Sequence, residues 1–178
     1  FAFLKIDLLF WEVDKKFSIT PEITLIEFDI DFHRPPKLAT EVGNGDLILN
    51  MGEYAEERLL GDLSDIGEQF ELKFVDNDTV EVRALNLGSD AMAWQSYDVT
   101  GKIIARTGAG NDEIIVVSGT VDSDVEIDFE GGAGDDVFTL VAGGVGVTGN
   151  ALIRGDDGDD EINSGGGADV IFGGRGGD

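Results

Sequence analysis

The chain has 178 residues, 42% of them hydrophobic, and carries 37 acidic against 12 basic side chains for a formal charge of -25 at pH 7. Such a charge excludes nucleic acid and an anionic membrane surface as partners, since both would repel it, and points to something that neutralises carboxylates. There is no cysteine, so no disulfide staples the chain, and no apolar run reaches the ~18 residues that crossing a bilayer requires.

Residues 1–99 predict a β-rich N-terminal unit. The runs 3–13 and 17–20 read as strands, the second closed by Pro21. In "IEFDIDFH" Ile26, Phe28, Ile30 and Phe32 alternate with Glu27, Asp29, Asp31 and His33, the period of two that gives a strand one dry face. "HRPPKL" then interrupts the sheet, because consecutive prolines do not fit a central strand. "GNGD" at 43–46 reads as a turn entering a short strand, and "GEYAEERLLGD" predicts one or two helical turns. Phe70, Leu72 and Phe74, a "DND" turn, then Val80, Val82 and Ala84 predict a β-hairpin. The opening "FAFLKIDLLFW" reads as the middle of a sheet and the closing "GGRGGD" stops in mid-motif. The sequence therefore reads as a segment of a longer chain, with no basic n-region at its start to mark a signal peptide.

Nothing in this half organises into catalytic machinery, and an enzyme is not expected. His33 is the single histidine, and no G-x-S-x-G elbow or phosphate-binding loop accompanies it. Trp11 and Trp94 offer stacking surfaces for a glycan, but sheet packing is the simpler use of both.

From about residue 100 the texture changes. Residues 107–178 hold 19 of the 26 glycines, and 16 acids against only Arg154 and Arg175. Residues 107–130 read TGAGNDEIIVVSGTVDSDVEIDFE, 131–154 read GGAGDDVFTLVAGGVGVTGNALIR, and 155–178 read GDDGDDEINSGGGADVIFGGRGGD. The interval of 24 aligns Gly110, Gly134 and Gly158, then Asp112, Asp136 and Asp160, then apolar Ile114, Phe138 and Ile162. A repeat of this size buries its apolar residues by stacking on its neighbours. Each copy offers a Gly-rich turn, a strand such as "EIIVV", a looser turn and a second strand such as "VEIDF". The pattern predicts an all-β chain whose residues 100–178 form a parallel β-helix or β-roll, right-handed by the general rule for parallel connections.

Stacked at about 4.8 Å, the aspartates form a ladder of like charges, each pushed toward protonation unless a cation intervenes. Calcium suits such a ladder best. It accepts six to eight oxygens, mixing carboxylate with carbonyl, whereas zinc or iron would call for the histidine and cysteine that are scarce here.

"GGAGDDVFT" at 131–139 fits the nonapeptide G-G-x-G-x-D-x-U-x at every specified place, and residues 155–163, 164–172 and 173–178 follow it more loosely. In these residues the chain resembles the repeats-in-toxin (RTX) family of haemolysin-type calcium-binding repeats. The resemblance implies Ca2+ held by the turn aspartate and by carbonyls of its turn, with help from a turn one coil away. It assigns Asp136 with Gly131 and Ala133, Asp160 with Gly155 and Asp157, and further half-sites at Asp169, Asp178 and Asp112. Thr107, Asp156 and Ser164 stand where that family prefers glycine, and Ala151 stands where it has aspartate, which makes that turn structural. Asp135 and Asp159, at the variable position, are expected to add no side-chain ligand.

The function expected is calcium binding by a secreted or bacterial cell-surface module, structural or adhesin-like, that orders only in calcium. An accessory domain of a secreted hydrolase and a glycan-binding surface module are the alternatives. Its partners are calcium ions and neighbouring domains of the same long chain, with an extracellular glycan as a further candidate.

Overall fold

A computed structural model describes Ala2–Leu4, Asp7–Leu8, Trp11–Glu12, Lys15–Phe17, and residues 34–117 and 121–178. Of the strand expected over 17–20 only Phe17 is described, and the strand expected over 26–32, with His33, lies outside the described residues. The chain divides into two compact units, Phe1–Phe32 and His33–Asp178.

In the first unit β1 (Ala2–Leu4) pairs antiparallel with β4 (Lys15–Phe17), and β2 (Asp7–Leu8) with β3 (Trp11–Glu12). The run 3–13, expected as one strand, thus supplies both members of an antiparallel pair, β2 and β3. Its sequence carries no glycine, proline or asparagine to divide it into two strands.

The second unit opens with β5 (Ala39–Glu41) and β6 (Leu47–Leu49), an antiparallel pair joined through the 43–46 turn. A 3-10 helix, Gly52–Arg58, takes the place of the expected helical turns. β7 (Gln69–Phe74) and β8 (Thr79–Ala84) form the expected hairpin around Asp76–Asp78, and β9 (Gln95–Asp98) extends it. Then β10 (Lys102–Arg106), β11 (Glu113–Val116), β12 (Glu126–Ala133) and β13 (Val137–Thr139) alternate between two sheets. A small hairpin, β14 (Val141–Ala142) with β15 (Val145–Gly146), precedes β16 (Ala151–Asp157), β17 (Glu161–Asn163) and β18 (Val170–Arg175).

One six-stranded sheet runs β18-β16-β12-β10-β6-β5 and the other β17-β13-β11-β7-β8-β9. Every neighbour pair from β6 to β18 in the first and from β7 to β17 in the second is parallel. The register carries the repeat: Lys102 faces Glu126, Ile127 faces Ala151, Glu113 faces Val137 and Val137 faces Glu161, all 24 residues apart. The last step, Leu152 to Val170, shortens to 18.

Alternation then decides what is buried. Ile103, Ala105, Ile127, Phe129, Ala151 and Ile153 point inward from the first sheet, and Phe70, Leu72, Ile114, Val116 and Phe138 from the second. They form one cluster, in which the Phe129 and Phe138 rings meet at 5.6 Å between centroids. Outward positions carry charge: Asp128 pairs with Lys102 at 2.9 Å and Arg106 at 3.0 Å. Trp94 lies under Arg83 and Lys73, at 4.4 and 5.3 Å from its ring. Among the described residues no helix is long and apolar enough to cross a membrane.

The change of texture near residue 100 is not a break in packing, as the division 1–99 and 100–178 would require. β6 and β7 precede it, yet they pair in parallel with β10 and β11. Strand stacking depends on inward apolar residues and a free sheet edge, and β6 and β7 supply both without the glycine-rich corners. Truncating Phe138 to alanine should lower stability by about 3–5 kcal/mol, the usual cost of an emptied phenylalanine site, read by urea unfolding at constant calcium.

Candidate metal centre

Each passage from the first sheet to the second turns a corner: 107–112 after β10, 134–136 after β12 and 158–160 after β16. Gly134 and Gly158 adopt φ of 131° and 153°. A Cβ at either would collide with the carbonyl oxygen of the glycine 24 residues earlier, so glycine is required for the corners to stack this closely.

The corner aspartates form a column. Asp136 Oδ1 accepts a hydrogen bond from Asp112 N at 2.8 Å, and Asp160 Oδ1 from Asp136 N at 2.9 Å. Asp178 Oδ1 continues it, accepting from Asp160 N at 3.4 Å. At the other end Asp112 Oδ1 accepts from Glu68 N at 2.6 Å. A second, solvent-exposed ladder runs beside it in the opposite sense. Asn111 Oδ1 accepts from Asp135 N at 3.1 Å, Asp135 Oδ1 from Asp159 N at 2.9 Å, and Asp159 Oδ1 from Gly177 N at 2.7 Å. Asp135 and Asp159 therefore staple neighbouring corners.

The inner column leaves atoms without partners. Asp112, Asp136 and Asp160 are 1%, 0% and 7% exposed. Their Oδ2 atoms and Glu68 Oε2 are buried: those of Asp136 and Asp160 have no hydrogen-bond partner among the described residues, while the Asp112 and Glu68 carboxyls meet, where one proton between them makes a hydrogen bond. A buried carboxylate oxygen without a partner is costly. Burial, with the neighbouring charge of Asp160, raises Asp136 from the ordinary 3.8 to about 6. Burial also raises Asp112 to about 8, with Glu68 and Asp136 adding to it, and pushes Asp160 upward beside Asp178.

The Oδ2 atoms of Asp136 and Asp160 each look into a gap that a missing side chain leaves. A Cβ on Gly131 would collide with Asp136 Oδ2 and with Gly155 O at 2.5 Å. A Cβ on Gly155 would collide with Asp160 Oδ2 and Gly173 O, and one on Gly173 with Asp178 Oδ2. Gly131, Gly155, Asp136, Asp160 and Asp178 therefore share one column. Ala133 O and Asp157 O belong to the same corners but each already accepts a backbone hydrogen bond, from Gly110 N and Gly134 N at 2.8 Å. The Asp157 carboxylate pairs with Arg175 at 3.1 Å. Asp169 stands apart, at the return corner between β17 and β18, where its Oδ1 accepts from Ala151 N at 2.9 Å and its Oδ2 from the Ser164 hydroxyl at 2.6 Å.

Among the described residues no three acidic or histidine side chains converge to hold a metal by themselves. An ion at this corner would have to combine one or two carboxylates with backbone oxygens, a mixture that suits a hard cation.

Two residues of the column lay outside the sequence reading. Glu68 occupies the Asp112 position one strand earlier, since Glu113 faces Gln69. Its signal was present: "EQF" at 68–70 matches "DEI" at 112–114 and "DVF" at 136–138 in putting an acid two places before the inward apolar residue. The interval there is 44, so a search at 24 passes over it. Arg58, fully buried, heads the column. It donates to Glu68 Oε1 at 3.0 Å, to Ala55 O at 3.1 Å and to Ser64 O at 2.9 Å.

Compared with known proteins, the chain matches no family model, no curated protein and no solved structure.

Removing Arg58 while leaving Glu68 buried, as in Arg58→Met, should cost about 3–5 kcal/mol in urea unfolding, the range for a broken buried ion pair. The pH dependence has a definite sign. In metal-free buffer Asp136 and Asp112 hold protons in the folded state where the unfolded chain has released them. Stability should therefore fall as pH rises from about 4, through about 6 for Asp136 and on to about 8 for Asp112. Melting curves in chelator across this range check it, and Asp136→Asn should flatten the part between about 4 and 6.

Proposed function

We propose that this chain binds calcium along the Asp112–Asp136–Asp160–Asp178 column and that binding drives the repeats to fold. The observation that carries the reading is the buried, partnerless Oδ2 of Asp136 and of Asp160, each aimed at a glycine gap walled by a carbonyl oxygen of the next corner. A divalent ion in that gap would take the negative charge that otherwise drives the carboxyls toward protonation. Calcium fits better than magnesium, because the donors on offer are scattered backbone and carboxylate oxygens rather than a tight octahedron.

The two parallel sheets, in 24-residue register, are read as successive turns of a right-handed β-roll of the RTX kind. The motif at 131–139 and the alignment of Asp112, Asp136 and Asp160 in one column support that reading. Calcium is then part of folding, because the ligands meet only when corners stack. One site at free calcium 100 times its dissociation constant adds about 2.7 kcal/mol. Sites of this kind work at the millimolar calcium outside cells, which supports reading the chain as part of a secreted or cell-surface protein, a calcium-stiffened structural or adhesin-like module.

A calcium titration followed by far-UV circular dichroism tests the reading. Strand content should rise steeply between chelator and several millimolar calcium, and Asp136→Asn should shift the midpoint to higher calcium. Strand content that stays flat across the range refutes it.

A further inference from the structure

The corner aspartates share a motif but not a local environment, and the difference lies five residues upstream of each. Gly131, Gly155 and Gly173 precede Asp136, Asp160 and Asp178, whereas Thr107 precedes Asp112 and Ser164 precedes Asp169. We propose that this position decides which corners take an ion, and that Thr107 and Ser164 close theirs. The inference rests on the calcium reading above and limits where the ions go.

An ion linking two corners needs a carboxylate oxygen and a carbonyl oxygen facing one gap. At Gly131 these are Asp136 Oδ2 and Gly155 O, and at Gly155 they are Asp160 Oδ2 and Gly173 O. The same register makes Asp112 Oδ2 and Gly131 O the corresponding pair one repeat earlier. Thr107 fills that gap: it is fully buried, and its hydroxyl donates to Gly131 O, taking up the carbonyl. At the return corner the Ser164 hydroxyl takes up the other half, donating to Asp169 Oδ2 at 2.6 Å while Asp169 Oδ1 already accepts from Ala151 N. In one case the hydroxyl satisfies the carbonyl, in the other the carboxylate. Either way a complete pair of ion-facing oxygens is lost.

The Asp112 corner also lies beside an internal cation. Its neighbour Glu68 is held by the Arg58 guanidinium, a permanent cation built into the chain. On this proposal, ion binding along the stack begins at Gly131. Neither Gly131 nor Gly155 has a positive φ, so a side chain is barred there by space and not by backbone conformation.

The test is calcium stoichiometry by isothermal titration calorimetry on the full chain, with Gly131→Thr and Thr107→Gly beside the unaltered protein. Gly131→Thr, which copies the residue of the preceding repeat, should bind one ion fewer. Thr107→Gly, which opens the gap before Asp112, should bind one more. Should Gly131→Thr fail to fold in saturating calcium, Thr107→Gly decides alone, because it only removes atoms. An unchanged count in Thr107→Gly, or a full count in a folded Gly131→Thr, overturns the proposal while leaving the calcium reading intact. A parent protein that binds no calcium at several millimolar removes both.

Discussion

A carboxylate can be brought inside a protein only if something answers its charge: a cation, a proton, or donors enough to replace water. The column from Glu68 to Asp178 places this demand along the corners between the two sheets. Each aspartate spends one oxygen on the backbone N–H of the corner before it. That bond locks the corners in register, and it turns the second oxygen inward, where Asp136 and Asp160 have no donor for it. The contact that aligns the stack thus creates the charge that the stack must neutralise.

The rest of the fold makes that alignment unavoidable. Apolar residues two places after each acid, Phe70, Ile114, Phe138 and Ile162, pair across adjacent parallel strands. Three of the four are fully buried. Their burial supplies the favourable term, and the acids follow because they are covalently next to them. One interaction holds the strands together, and the other makes them conditional on what neutralises the column. At the Arg58 end a guanidinium answers Glu68. On the proposed reading calcium answers the aspartates at the corners where glycine leaves room.

The two sheets are also finished differently at their two ends. β5, β8 and β9 turn antiparallel and cover the edges next to β6 and β7. At the other edge Val170, Ile171 and Phe172 on β18 are about half exposed, at 50%, 46% and 55%. Ile171 faces Ile153 across the last parallel pair, so it continues the inward row. The solvent-exposed ladder of Asn111, Asp135 and Asp159 runs along the corners without burying charge, which explains why these side chains tolerate water while their neighbours one residue on do not.

Much of this was legible in the residues. The period of 24 became the hydrogen-bond register, and the alternation in "EIIVV" and "VEIDF" named the buried face, because side-chain direction along a strand has a period of two. The hairpin at 69–84 and the turn at 43–46 followed from the same local rules. Tertiary structure decided the rest. Pairing between β6 and β10, 56 residues apart, and between β7 and β11, 44 apart, has no local signature, so the stack extends further toward the N-terminus than the glycines do. In their nonapeptides, what marks Asp169 off from Asp136 at the first place is Ser164 where the other has Gly131. Only the folded chain shows that one meets a serine hydroxyl and the other a gap, since what a side chain meets across a corner depends on the neighbouring strand and not on its own.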